Sequence, residues 1–107
     1  MFRLSMLTLL ITLLCACATT SPKQMKTNSF LQQGKLDFDG GYYQRALHEL
    51  LPIACDGNAE AQYAVGYMYY YGYGVAQDQY VGGFWIKRSA GQGYPPAIDA
   101  AKMLRVE

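Results

Sequence analysis

The sequence predicts an all-α protein, an α/α superhelical solenoid of about two repeats followed by a terminal helix. The chain of 107 residues matches itself when it is shifted by 36 positions, with small residues recurring at fixed places. These matches pair Ala54 with Ala90, Gly57 with Gly93, and Ala61 with Ala97. Apolar residues also recur at the helical period, and no segment alternates at a period of two for long enough to indicate a strand. Tandem units of this length are typical of solenoids in which helices approach closely.

The first two predicted helices cover about residues 29–38 and 42–55. In the second, Ala46, Leu50 and Ala54 belong to one apolar stripe at the 3.6-residue period, while His48 lies on the polar side. Pro52 is inside this pattern and is expected to kink the helix, because proline removes a hydrogen bond and clashes with the preceding turn.

The next three predicted helices have recognisable ends. Asn58 is a candidate N-cap for a helix that reaches about residue 71, and Asp78 is one for a helix that ends near residue 91. A last helix covers about residues 97–106, with prolines suited to its first turn. Gly82 and Gly83 should weaken or bend the fourth helix, since glycine costs about 1 kcal/mol relative to alanine in a helix interior.

The N-terminus has the features of a signal peptide. After Arg3, an uncharged run extends to Leu14, which is about half the length that is needed to cross the ~30 Å hydrocarbon core. Leu14-Cys15-Ala16-Cys17 resembles the lipobox of bacterial lipoproteins, which implies cleavage before Cys17 and a diacylglycerol on its thiol. Ala18 implies sorting to the outer membrane of a Gram-negative envelope, facing the periplasm. The alternative is an ordinary secretory signal that leaves Cys17 as a free thiol.

These features divide the chain into five segments. Residues after Cys17 are polar and lack apolar periodicity, which is typical of a flexible tether. The segments are a signal peptide (1–16), the lipidated Cys17 with its tether (17–27), a degenerate first helix pair (28–57), one well-formed repeat (58–93) and a terminal helix (94–107).

Residues 58–93 resemble a Sel1-like repeat, a relative of the tetratricopeptide repeat. The motif positions that match are Ala61, Gly66, Tyr69, Gly72, Gly74, Trp85, Ala90 and Gly93. The resemblance implies a superhelical helix array that acts as an adaptor or an assembly scaffold, often in the bacterial envelope. Small residues at such positions let paired helices approach closely, and the glycines after residue 71 can take the positive φ that turns require.

Tyrosine is the most unusual feature of the composition, since seven of the ten tyrosines lie between residues 63 and 80. Tyr63, Tyr67 and Tyr70 form a stripe opposite the predicted apolar face of their helix, and Tyr71 and Tyr73 continue it into the loop. In the solenoid relatives this helix lines the concave groove. Two interpretations stay open: the rings form a partner-binding surface, or they pack against flanking helices.

The remaining reactive residues indicate no catalytic site. His48 lacks a spacing typical of a metal ligand or a catalytic partner, which favours a solvated helix face. Cys55 is more typical of a small apolar residue packed against the next helix than of an intermolecular disulfide. The net charge of +1 gives no electrostatic sign of nucleic-acid binding. We therefore expect no metal, no cofactor and no enzymatic activity.

The predicted function is that of an envelope lipoprotein that binds a protein or peptide through a short solenoid. The alternatives are a permanent structural or assembly subunit of an envelope complex and, less favoured, an enzyme acting on peptidoglycan or β-lactams. Repeat arrays of this length leave one edge without a neighbour. Ala97, Ala100, Ala101 and Leu104 lie on one side of the last helix, and no following helix is expected to cover its far edge, so a partner or a second copy should cover either that edge or the tyrosines.

Overall fold

The computed structural model of the protein describes residues 22–105, and these form five helices with no strand among them. The helices are α1 (Pro22–Asp39), α2 (Tyr43–Cys55), α3 (Ala59–Tyr71), α4 (Gln79–Gly91) and α5 (Pro95–Leu104). The predicted signal peptide, Cys17 and the start of the tether lie outside the described residues, as do the last two positions. No helix in the described range is both long and apolar enough to cross a membrane.

The all-α fold class that the sequence predicts is confirmed. Each helix packs mainly against the helices that precede and follow it in sequence, and the largest of these interfaces joins α3 to α4. Packing between consecutive elements is the arrangement expected of a repeat array. The superhelical path stays a prediction.

The core lies between α2 and α3 and is built from aliphatic and small residues. Its buried members are Ala46, Leu50, Ile53, Ala54, Ala61, Val65 and Met68. On the α1 side, a Cβ atom on Gly34 would lie 2.6 Å from Cγ of Leu50, so α1 can approach α2 only because this position is glycine. The apolar stripe predicted for α2 therefore faces both neighbouring helices.

The predicted helix ends are confirmed for α3 and α4. The Asn58 side chain accepts a hydrogen bond from the backbone N–H of Ala61 at 2.9 Å, and Asp78 accepts one from Val81 at 3.0 Å. These bonds satisfy backbone donors that the first helical turn leaves unpaired. Gly72 and Gly74 have φ values of 76° and 71°, which is the conformation expected of glycines that follow a helix.

The tether prediction is wrong for residues 22–27, because α1 already begins at Pro22. Proline suits the first turn of a helix, and the following Lys, Gln and Met residues are good helix formers. Thr27 also donates a side-chain hydrogen bond to the Lys23 carbonyl. The segment was interpreted as a tether because it has no apolar stripe, but a helical turn whose side chains are exposed does not require one.

The weakness expected of α4 also needs correction. The helix continues through Gly82 and Gly83, which are both buried. A Cβ atom on Gly82 would lie 2.6 Å from the backbone nitrogen of Tyr70, and one on Gly66 would lie 2.9 Å from the Gly82 carbonyl oxygen. The glycines on both helices therefore permit backbone contact between α3 and α4, which offsets their low helix propensity.

The last helix buries its small residues against the helix before it, and the expected partner on its far edge stays a prediction. Ala97 and Ala100 are buried, and the exposed positions of α5 include Asp99, Lys102 and Met103. Lys102 lies 36 positions after Gly66. Gly66 allows α3 to contact α4, whereas Lys102 is exposed. The outer side of α5 thus combines charged residues with the exposed Met103.

Candidate functional site

A groove lined by aromatic rings lies between α1 and α3. Its volume is about 370 Å³, and its walls are Phe38 from α1, Tyr63 and Tyr67 from α3, and Tyr94 from the turn before α5. Leu50 of α2 and Ala64 of α3 also line it. We call this cavity the aromatic groove. It combines residues from α1, α2, α3 and the start of α5, so the packing of these helices against one another is what assembles it.

The rings along the groove form a continuous chain of contacts. Tyr63 has its ring centroid 5.7 Å from that of Tyr94 and 6.2 Å from that of Tyr67. Phe38 meets Tyr67 edge-on, with the centroids 6.0 Å apart. Such geometries are favourable for aromatic pairs and fix the orientation of each ring. The groove wall is therefore an ordered surface and not a set of independent side chains.

The loop after α3 packs against Tyr67 through Tyr73. Tyr73 stacks on Tyr67 with 8° between the ring planes, and its centroid lies 4.8 Å from that of Tyr43. A Cβ atom on Gly74 would lie 2.6 Å from the carbonyl carbon of Tyr43, so only glycine lets this loop reach α2. The turn glycines thus hold Tyr73 in place under Tyr67.

The five tyrosines predicted to bind a partner therefore divide into three groups. Tyr63 and Tyr67 line the aromatic groove, while Tyr71 and Tyr73 lie next to it in ring contact with Tyr67. Tyr70 does not line it, because it faces the N-terminal half of α4 and shares a different depression with Tyr80 and Phe84. The prediction of one stripe for Tyr63, Tyr67 and Tyr70 is wrong for Tyr70, since the close contact with Gly82 places that side chain beside α4.

The interpretation that the tyrosine rings pack against other residues holds for part of each ring, and the partner-binding role stays a prediction. Tyr63, Tyr67 and Tyr73 are half-buried against other rings, yet Tyr71 is 45% exposed. Within residues 22–105 no hydrogen bond involves the hydroxyls of Tyr63, Tyr67 or Tyr94, and no buried side-chain oxygen lacks a partner. The rings are thus packed on one side, while their hydroxyls reach solvent at the groove.

The groove tyrosines stay protonated at neutral pH. Burial raises the pKa of Tyr63, Tyr67 and Tyr94 above the ordinary value, and neighbouring phenols raise the pKa of Tyr63 and Tyr67 further. Burial disfavours the charged phenolate, which explains the direction of the change. Each hydroxyl is therefore available as a hydrogen-bond donor to a bound molecule.

One ion pair joins the two walls of the groove. Nζ of Lys35 on α1 lies 2.6 Å from Oε1 of Glu60 on α3, and this hydrogen bond raises the pKa of Lys35. Asp39 also lines the groove and forms no salt bridge within the described part of the chain. Because Lys35 and Glu60 neutralise each other, Asp39 leaves the groove with one net negative charge.

Sequence reasoning missed Phe38 and Tyr94 as groove residues. A helical wheel locates the faces of one helix, and both residues reach the groove from other elements. Tyr94 lies 36 positions after Asn58, at the start of the helix that follows α4. Its ring contact with Tyr63 follows only from the packing of helices α3 to α5.

The motif positions of the Sel1-like resemblance lie at helix contacts and turns. Ala61 and Gly66 are buried, while Tyr69 and Trp85 are half-buried and pack against the core. Ala90 is half-buried near the end of α4. Gly93 is exposed and has a φ of 85°, which suits the turn before α5.

The other reactive residues form no cluster with the groove. His48 is exposed, as its predicted place on a solvated helix face requires. Cys55 is exposed too, so the interpretation that it packs as a small apolar residue is wrong; it is the last residue of α2, where the helix ends at the surface. Within residues 22–105, no group of three or more potential ligand residues is placed to hold a metal ion.

Comparison with known proteins gives one local similarity. No family profile matches the chain, and no solved structure gives a significant match. A segment of 44 residues is 52% identical to Chitin synthase regulatory factor 3 of Schizosaccharomyces pombe. The match covers 41% of this chain and 5% of the yeast protein, so the similarity concerns one short segment of that much longer protein.

Proposed function

We propose that this protein is an envelope lipoprotein that binds a segment of another protein in the aromatic groove. The observation that carries the proposal is the ordered row of Tyr63, Tyr67 and Tyr94, whose hydroxyls have no hydrogen-bond partner within the described residues. Rigid aromatic rings with polar tips are the usual anchors of protein interfaces, because they offer large contact area with little loss of conformational freedom.

The resemblance to Sel1-like repeats supports the same proposal. Members of that family are helical arrays that act as adaptors, and the motif positions of this chain occupy helix contacts and turns. The segment shared with the yeast protein supports a binding role as well, since that protein is named as a regulatory factor of an enzyme. In our proposal this chain likewise acts on a partner by contact and performs no reaction of its own.

The location rests on the N-terminal sequence. Cleavage before Cys17 and acylation of its thiol would anchor the domain, because several acyl chains hold a protein on a bilayer where one chain is marginal. Growth with labelled palmitate should label the wild-type protein and fail to label a Cys17→Ser variant. Incorporation that persists in Cys17→Ser would contradict the anchor.

Crosslinking in cells tests the binding role. A photo-crosslinking amino acid at position 67 would line the aromatic groove. The control is the same amino acid at position 80 on α4, which lies outside the groove and where the native tyrosine is 87% exposed. We expect a defined crosslinked protein from position 67 that is absent from position 80. Equal capture from both positions, or none from position 67, would contradict the proposal.

A further inference from the structure

We infer that the occupant of the aromatic groove is an extended proline-rich segment, in the polyproline II conformation, with a basic residue at one end. The inference rests on the proposed function and specifies the chemistry of the partner. It follows from three properties of the groove: which hydrogen-bonding groups it offers, what shape its walls have, and what charge remains on it.

The hydrogen-bonding groups favour an extended chain over a helix. The hydroxyls of Tyr63, Tyr67 and Tyr94 are protonated and lack partners within residues 22–105, so the groove presents donors. A helix uses its own carbonyl groups along most of its length, which leaves few acceptors for these donors. Polyproline II has no internal hydrogen bonds, and all its carbonyl groups are available.

The scarcity of acceptors favours proline in particular. Apart from the tyrosine hydroxyls, the side-chain acceptors that line the groove are the carboxylates of Asp39 and Glu60, and Glu60 already pairs with Lys35. An ordinary extended peptide would bring one N–H group per residue, and each of these that found no tyrosine hydroxyl, carboxylate or water in the groove would carry a cost. Proline has no N–H, so it avoids that cost.

The walls fit the faces of proline rings. Aromatic side chains that line a groove are the surfaces on which polyproline II segments dock in known recognition modes, since the preformed helix loses little entropy on binding. Here Phe38, Tyr63 and Tyr67 line the groove, and Tyr73 stacks on Tyr67 and restrains that ring. Within the described chain there is no sheet edge to which a peptide strand could be added.

The charge defines one end of the segment. Lys35 and Glu60 neutralise each other, and Asp39 leaves one negative charge on the groove at the C-terminal end of α1. Charge complementarity selects partners by attraction and by repulsion of the wrong sign. An Arg or Lys that follows the prolines would place its cation beside Asp39.

Fluorescence anisotropy with the purified full chain tests the inference. The probe is a labelled peptide of eight prolines followed by two arginines; the matched peptides carry two glutamates in place of the arginines, or eight alanines in place of the prolines. We expect saturable binding of the first and at least about tenfold weaker binding of both others. Equal binding of the alanine peptide or of the glutamate peptide would overturn the inference.

Variants locate the binding. Tyr67→Phe retains the ring and removes the hydroxyl, so it should weaken binding about three- to tenfold without unfolding the protein. Asp39→Asn should reduce the preference for the arginine peptide over the glutamate peptide. Tyr80→Ala, outside the groove, should leave the affinity unchanged. An unchanged affinity in Tyr67→Phe, or an equal loss in Tyr80→Ala, would contradict the assignment.

Two further results separate this inference from the proposed function. Binding of a tetramer of N-acetylglucosamine, together with no saturable binding of the proline peptide, would show that the rings bind sugars, which overturns the inference. If the protein segment crosslinked to position 67 in cells contains no proline-rich stretch, the proposed function stands and this inference fails. If position 67 captures no protein, the proposed function fails.

Discussion

Gly82 of α4 lies against the backbone of Tyr70 in α3, so closely that a Cβ atom on Gly82 would be 2.6 Å from the Tyr70 nitrogen. This contact joins the two helices that share the largest interface in the described chain. It also places Tyr70 beside α4 and outside the aromatic groove. A glycine that appears unfavourable for a helix is thus what allows the helix pair to form.

Gly82→Ala should destabilise the protein by about 1–3 kcal/mol. Alanine is intrinsically better in a helix by about 1 kcal/mol, but its methyl group would overlap a backbone that cannot move without shifting α3. Gly91→Ala is the matched control, because the same helix has open space at that position. It should leave the stability unchanged or raise it by up to about 1 kcal/mol. Urea unfolding followed by circular dichroism measures both, and a stabilised Gly82→Ala would refute the close contact.

Asn58→Ala should lower the free energy of unfolding by about 1 kcal/mol, because it removes the side-chain acceptor for the Ala61 N–H at the start of α3. Asn58→Asp retains an acceptor oxygen and should cost little by comparison. The same urea titration measures both variants. Similar losses in the two would mean that the cap is not the source of the stability.

Asp37 should make the stability depend on pH in the acid range. Arg45 donates two hydrogen bonds to this buried carboxylate, at 2.6 Å and 2.9 Å. These hydrogen bonds are the main reason why the pKa of Asp37 lies below its ordinary value. A carboxyl group whose pKa is lower in the folded state contributes stability above the unfolded pKa of about 3.9, and that contribution is lost as the pH falls through the folded pKa.

Asp37→Asn should therefore unfold at lower urea concentration than the wild type at pH 7, and the difference should shrink as the pH falls from about 5 to about 2. Asp99→Asn is the control, because Asp99 is exposed on α5 and has no ion pair within residues 22–105. A difference between Asp37→Asn and the wild type that does not change with pH would exclude the ion pair as its cause.

The groove tyrosines should ionise at higher pH than free tyrosine. Burial raises the pKa of Tyr63, Tyr67 and Tyr94, so their phenolate absorbance should appear above pH 10 in the folded protein. The stability associated with these neutral phenols is present below pH 10 and is lost as the pH rises through their folded pKa values.

A spectrophotometric titration at alkaline pH checks this. The part of the phenolate absorbance that appears above pH 10 should be smaller in Tyr63→Phe and in Tyr67→Phe. In the chain unfolded in guanidinium, all tyrosines should titrate near pH 10. If both phenylalanine variants keep the wild-type profile, these rings are not the ones that burial protects from ionisation.

The sequence predicted the helix ends well where the signal is local. The caps at Asn58 and Asp78 and the turn at Gly72 depend on residues within a few positions of one another. The sequence predicted the start of α1 poorly, because the polar residues 22–27 are equally compatible with a tether and with an exposed helical turn, which needs no apolar residues. The prediction was also poorer for Cys55, whose burial depends on which side of α2 meets a neighbour.

The candidate site was predictable only in part. Tyr63 and Tyr67 were identified from their angle on one helix, and that angle is fixed by the 3.6-residue period. Phe38 and Tyr94 were not, because they reach the groove from α1 and from the turn before α5. Tyr70 was assigned to the wrong group, since the sequence does not state how closely α4 approaches α3.

By itself, then, the sequence determined that the chain is helical, where α3 and α4 begin, and that tyrosines are concentrated on α3. Only the tertiary structure decided which rings meet across helices, that Gly82 is a contact residue, and that Lys35 and Glu60 join the two walls of the groove. The physical reason is one of range. Helical hydrogen bonds and caps form between residues about four positions apart, whereas a groove depends on distances between helices, which the packing of side chains on both of them sets.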